Sequence, residues 1–156
     1  MPHIVSIVHT PDRSDYVRPE NHYAREPVES VQLLVGKGIA GDRKGSKYPA
    51  RQINLMSAET LAQLALEGFK TAPGEMGEQI VVSGLPIDGL KPGDRIRLGA
   101  TAVLEVDKAR TGCDRFEHIQ GRKKSEVRGR LGQMMRVIAD GSIRVEDSVS
   151  VEPRFE

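Results

Sequence analysis

The stretch "KPGDRIRLGATAVLEVDK", residues 91–108, decides the fold class. It opens on a Pro-Gly turn signal, after which Ile96 and Leu98 alternate with Arg95 and Arg97. A period of two puts apolar side chains on one face of a strand and charged ones on the other. A second β-rich run, Thr101 to Lys108, follows closely.

The same texture extends in both directions. "HIVSIV" (3–8), "RQINLM" (51–56) and "EQIVVSG" (78–84) are strand candidates, and "ESVQLLV" (29–35) puts Val31, Leu33 and Val35 on one face. "MRVIADGSIRVEDSVSVE" (135–152) carries Asp140-Gly141 between two β-rich runs, which predicts a tight hairpin. The clearest helix covers residues 57–67, with Ser57 as N-cap, Glu59 in the first turn, Leu61 and Leu64 on one face and Gly68 as the stop. Residues 123–134 are a second helical candidate, against which Gly129 and Gly132 count. Residues 10–27, with three prolines, read as a polar surface connection. Many short strands with Gly and Pro punctuation point to a β-barrel or sandwich.

At 156 residues the chain is read as a single domain, 1–156, with room for one core. A formal net charge of +1 gives no global field for nucleic acid, though Arg122, Lys123, Lys124, Arg128, Arg130 and Arg136 form a local basic cluster. One cysteine forbids an intrachain disulfide and fits a reducing compartment. The N-terminus does not read as a signal peptide, and no apolar run approaches the ~20 residues of a membrane helix. The expectation is a cytoplasmic protein that binds neither nucleic acid nor membrane.

Three segments can carry chemistry. "GKGIAGDRKG" (36–45) has four glycines whose amides can face an anion, with Arg43 and Lys44 adding charge, but it lacks the Walker ending; it also reads as a plain turn. Glu75 and Glu78 in "TAPGEMGEQ" (71–79) are acid/base candidates, or simply solvated turn charges. "KARTGCDRFEHIQ" (108–120) holds the lone Cys113 between Arg110 and Arg115, with His118 close behind. Neighbouring cations favour the thiolate, which is the nucleophile and the metal ligand. A free cysteine also packs well as a small hydrophobe, and the local sequence leaves both readings open. The four histidines have no metal-ligand spacing, and one cysteine does not build the usual structural zinc site. No G-x-S-x-G elbow is present.

Taken in order, "GIAGDR" (38–43), "RQINLMSAE" (51–59), "PGEMGEQIVVSG" (73–84), "LKPGDRIRLG" (90–99) and "AVLEV…R…C" (102–113) resemble the MOSC domain, named for the C-terminal region of molybdenum cofactor sulfurase. The resemblance is strongest over 28–120. It implies a compact, partly closed β-barrel with one or two short helices, and it makes Cys113, preceded by Arg110, the signature cysteine. Two roles go with that cysteine in the family. One is sulfur carriage as a persulfide, fed by a donor such as a pyridoxal-phosphate-dependent cysteine desulfurase. The other is ligation of molybdenum in the molybdenum cofactor (molybdopterin), with some members reducing N-hydroxylated compounds using electrons from a partner reductase. On this reading Cys113 is the catalytic or metal-binding residue, and Arg43, Arg51, Arg110 and Arg115 are the cofactor-binding set. A third reading is a non-catalytic barrel with an inert cysteine. The sequence departs from the family pattern at Gly112, where Pro is usual, at Gln79, where Asn is usual, and at Glu146-Asp147, where Gly-Asp is common.

Overall fold

In the computed structural model, which describes residues 1–10, 25–42 and 53–153, the 91–108 stretch forms two antiparallel strands, β7 (Arg95–Leu98) and β8 (Ala102–Ala109). Ile96 faces Leu104 in register and both are fully buried, while Arg95 faces Glu105 on the other side. The remaining strands are β1 (His3–His9), β2 (Glu26–Pro27), β3 (Ser30–Leu34), β4 (Gly38–Ile39), β5 (Ile53–Ser57), β6 (Ile80–Ser83), β9 (Gln133–Ala139), β10 (Gly141–Arg144) and β11 (Val149–Val151). Among the described residues two α-helices, α1 (Ala58–Leu66) and α2 (Asp114–Gln120), join them, with short 3-10 turns at Ile87–Gly89 and Lys124–Val127.

Eight strands form one sheet in the order β11-β7-β8-β9-β5-β6-β1-β2, and β10-β3-β4 form a second. Within the large sheet β5 and β6 are parallel, and α1 lies in their crossover. Backbone bonds from Ile4 N–H to Asp147 O (2.9 Å), Glu146 N–H to Ile4 O (2.8 Å) and Val149 N–H to Pro2 O (3.1 Å) tie β1 to the chain entering β11. They draw the two sides of the sheet together into the expected partly closed barrel. Glu146 holds this seam with a φ of 80°, the left-handed conformation that glycine favours.

Two apolar layers follow from strand alternation. Ile53 and Leu55 of β5 and Ile80 and Val82 of β6 belong to the barrel core, with Leu104 and Met135. Met56 and Val81 belong to a second cluster with Leu61 and Leu64 of α1, Phe116 of α2, Met76 and Leu131. Every residue of β5 is buried because both of its faces are covered. Helix α1 starts as read from the sequence: Ser57 Oγ accepts from the Thr60 N–H at 3.2 Å.

Three local expectations are corrected. Asp140-Gly141 is not a hairpin turn, because β10 pairs antiparallel with β3, Ile143 opposite Val31, rather than with β9. It is a corner between sheets: a Cβ on Gly141 would sit 2.6 Å from the Ala102 nitrogen, so only glycine lets the chain pass there. Residues 123–134 hold a single 3-10 turn, while the second helix is α2, whose seven residues are too few to show helical periodicity. Finally, Val35 does not share a buried face with Leu33; it lies beyond the end of β3 and is exposed. No helix among the described residues is long and apolar enough to cross a membrane.

Candidate functional site

Cys113 is exposed and free, which removes it from the core. It is the N-cap residue of α2: its extended backbone (φ −139°, ψ 177°) turns the chain into the helix, and its carbonyl accepts from the Glu117 N–H at 3.1 Å. The thiol makes no capping hydrogen bond. Arg115, half-buried, and His118, exposed, lie on the same helix. Lys124 is brought up beside it, with Nζ 3.5 Å from Asp114 Oδ1 and its N–H donating to Glu117 Oε2 at 2.9 Å. Gly112 makes this approach possible, because a Cβ there would lie 2.6 Å from Lys124 Cβ. The first departure from the family pattern therefore accompanies a close contact that a bulkier residue would break.

Arg110 lies three residues earlier. It is buried, and its Nη1 donates to the Met76 carbonyl at 2.6 Å. Met76 lies in the turn 74–78, which is organised from within by Glu78. The Glu78 carboxylate accepts from the Gly74 N–H (2.8 Å) and the Met76 N–H (3.1 Å) at 1% exposure. Burial pushes its carboxyl above the usual range, while those amide bonds and the Arg110 charge oppose the rise. Glu78 is thus no solvated turn charge. Its sequence signal was slight: a glutamate between glycine and a strand looks exposed, and only the folded turn around it, whose amides it accepts, shows it to be buried. At the far end of α2, Gln120 Nε2 donates to the Glu75 carbonyl (3.1 Å) and the Lys70 carbonyl (2.9 Å) and its Oε1 accepts from the Lys70 N–H (2.8 Å).

The adjoining carbonyl, that of Gly77, accepts from Asn54 Nδ2 at 3.1 Å. Gln79, the second departure, has its side chain buried in the same network. Its Nε2 donates to Asp42 Oδ2 (3.0 Å), and its Oε1 accepts from the Asn54 N–H (2.7 Å). Asp42 Oδ1 accepts from the Thr10 N–H at 2.8 Å. Arg43 and Arg51 lie outside the described residues, as does Lys44. Among the described residues, Asp42 is thus bonded to Gln79, and Asn54 to Gln79 and to Gly77, the residue after Met76.

The local basic cluster is largely paired. Arg122 meets Glu126 (2.8 Å), Arg130 meets Glu67 (2.7 Å), and Arg136 meets Glu105 and Asp107. Among the described residues, no group of three or more His, Cys, Asp or Glu is placed to hold a metal ion. A groove of about 470 Å³ lined by Ser57, Glu59, Thr60 and Asp88 does not include Cys113, Arg110 or Arg115 among its described lining residues.

Comparison with known proteins adds a family match and a shared fold. The family model of the MOSC domain matches residues 40–150. The YUAD protein from Bacillus subtilis superposes with a TM-score of 0.73 at 22% identity, covering 97% of this chain and 96% of that one. YiiM from Escherichia coli gives a TM-score of 0.71 at 20% identity over 98% of this chain and 71% of its own, and YiiM from Geobacillus stearothermophilus gives 0.72 at 21% over 99% and 76%. At these identities the structures share the fold. No curated protein matches the sequence.

Proposed function

The chain belongs to the MOSC domain family, a molybdenum-cofactor-associated domain, and from that premise we propose that it is a sulfur carrier whose working group is Cys113. The observation that carries the reading is the exposure of the one cysteine at the head of α2. A sulfur carrier needs a thiol that two successive partners can reach, on a backbone that does not yield. In the first step the Cys113 thiolate attacks the outer sulfur of a donor persulfide. A new S–S bond forms on Cys113 as the donor's own S–S bond breaks, and the donor leaves as a thiolate. In the second step an acceptor nucleophile takes the outer sulfur and the Cys113 thiolate is regenerated, with no net electron transfer. The donor is a cysteine desulfurase or an equivalent persulfide protein, in a reducing, cytoplasmic compartment.

The same exposed thiol supports a second reading, in which Cys113 ligates molybdenum of the molybdenum cofactor. A thiolate is a soft donor suited to that metal, so the donor fits at this one atom. The cofactor would supply redox chemistry, with electrons from a partner reductase, for substrates such as N-hydroxylated compounds. Cys113 would hold it, and Arg43, Arg51 and Arg115 are the proposed grips for its anionic part. Arg110, the fourth of that set, has one guanidinium nitrogen bonded to the Met76 carbonyl.

The deciding experiment is intact mass spectrometry and metal analysis of freshly isolated protein, before and after a sulfane-sulfur donor. The carrier reading expects a gain of about 32 Da, one sulfur atom, on Cys113, absent in Cys113→Ser. Molybdenum bound by the wild type and lost in Cys113→Ser favours the second reading. A thiol that alkylates freely yet gains neither sulfur nor metal overturns both and leaves an inert barrel.

A further inference from the structure

Cys113 lies in a segment fixed at both ends to the same short turn, and that turn has one internal organiser. Arg110, three residues before the thiol, binds the Met76 carbonyl at 2.6 Å. Gln120, seven residues after it, binds the Glu75 carbonyl at 3.1 Å and contacts Met76 Sδ at 3.1 Å. The Glu75 carbonyl points away from Glu78 because it shares a trans peptide with the Met76 amide, which Glu78 holds. The Met76 carbonyl shares its peptide with the Gly77 amide, which donates to the Gly74 carbonyl at 2.9 Å and closes the turn whose Gly74 amide Glu78 also holds. The turn has little freedom elsewhere. Gly74 and Gly77 both have a left-handed φ of 84°, and a Cβ on Gly74 would lie 2.6 Å from Arg25 Cβ.

We infer that Glu78 is the positioning residue of the thiol: by holding the 74–78 turn in one conformation it fixes Arg110 and Gln120, and through them the place of Cys113. This rests on the reading of Cys113 as the working group. The hydrogen bonds of the Glu78 carboxylate go to the turn and not to Cys113. Its action runs through two hydrogen-bonded arms, and Lys124 packs closely against the segment at Gly112. Among the described residues, both carboxylate oxygens bond to backbone amides of the turn, so their loss releases the turn itself.

The test compares full-length wild type with Glu78→Gln, and with Glu75→Gln as a control of equal chemistry at the half-buried turn position beside it. Amide hydrogen exchange is read by mass over peptides spanning 110–120, and iodoacetamide alkylation of Cys113 is followed across pH. Glu78→Gln is expected to raise exchange in 110–120 by about tenfold, because one of the two carboxylate acceptors becomes a donor. It is also expected to move the alkylation pH profile, with barrel peptides unaltered. Glu75→Gln should do neither. If Glu78→Gln does not fold, Gln120→Ala still exposes the inference to refutation, since cutting that arm should raise exchange over 113–120 with Glu78 in place. Unchanged exchange there in either variant, an unmoved alkylation profile in Glu78→Gln, or the same response from Glu75→Gln overturns the inference. Exchange reports on the backbone amides and alkylation on any exposed thiol, so both readouts hold whether or not Cys113 ever carries sulfur.

Discussion

The outer surface of the large sheet has two halves that use polar residues in opposite ways. Over β7, β8 and β9 it is open, and its charges form a cross-strand ladder in which Glu105 bonds Arg95 (2.8 Å) and Arg136, and Asp107 lies 3.6 Å from Arg136. Over β5 and β6 it is covered by α1, the 74–78 turn and α2, and the polar residues are Asp42, Asn54, Glu78, Gln79, Arg110 and Gln120, all at most 9% exposed. Charges on the open half exchange one set of polar contacts for water's and decide little. Those on the covered half have little water to fall back on; apart from Asn54 Oδ1, which has no partner among the described residues, they bond to one another and to the backbone, and the bonds of Arg110 and Gln120 hold the segment that carries Cys113.

That contrast can be broken most sharply at Arg110. Arg110→Ala leaves the Met76 carbonyl unpaired and removes a cation that favours the ionised form of the buried Glu78. It is expected to cost about 2–3 kcal/mol, read as a lower urea midpoint with unchanged slope. A loss no larger than that of an exposed arginine would erase the distinction between the two halves.

Glu78 sharpens the comparison through pH. Burial raises its folded-state carboxyl above the unfolded value, so between those two values the folded protein binds more protons than the unfolded chain. The contribution is therefore fully present below the unfolded value and is lost as pH rises through the folded one. Stability of the wild type minus that of Glu78→Gln should fall across that window. On the open half the sign reverses. Hydrogen bonding to Arg136 holds the Glu105 carboxyl below its usual range, so its contribution is present above the unfolded value and lost as acid reaches the folded one. Denaturant titrations at a series of pH values separate the two, and parallel slopes for both residues would contradict the assignment.

The smallest effect belongs to the ladder. Arg136→Ala should cost far less than Arg110→Ala and lose most of that in high salt, since the Arg136 side chain is half exposed. A salt-insensitive loss as large as that of Arg110→Ala would mean the open half is as demanding as the covered one.

By itself the sequence determined the strands and their inward faces. The alternation of Ile96 and Leu98 with arginines, the Ser57 cap and the order of the glycine-rich motifs are local signals, each complete within a few residues, and together they marked the family and singled out Cys113. They did not determine which strands pair across the chain. Asp140-Gly141 looks like a hairpin locally, yet the space beside Ala102 and the edge of β3 make it a corner. Nor could they tell an exposed glutamate from a buried one, or an arginine that reaches outward from one that reaches in. Glu78 and Arg110 took their roles from α2 and a turn more than thirty residues earlier folding over one face of β5 and β6. Burial is a property of what lies above a side chain, and only the tertiary structure decides what that is.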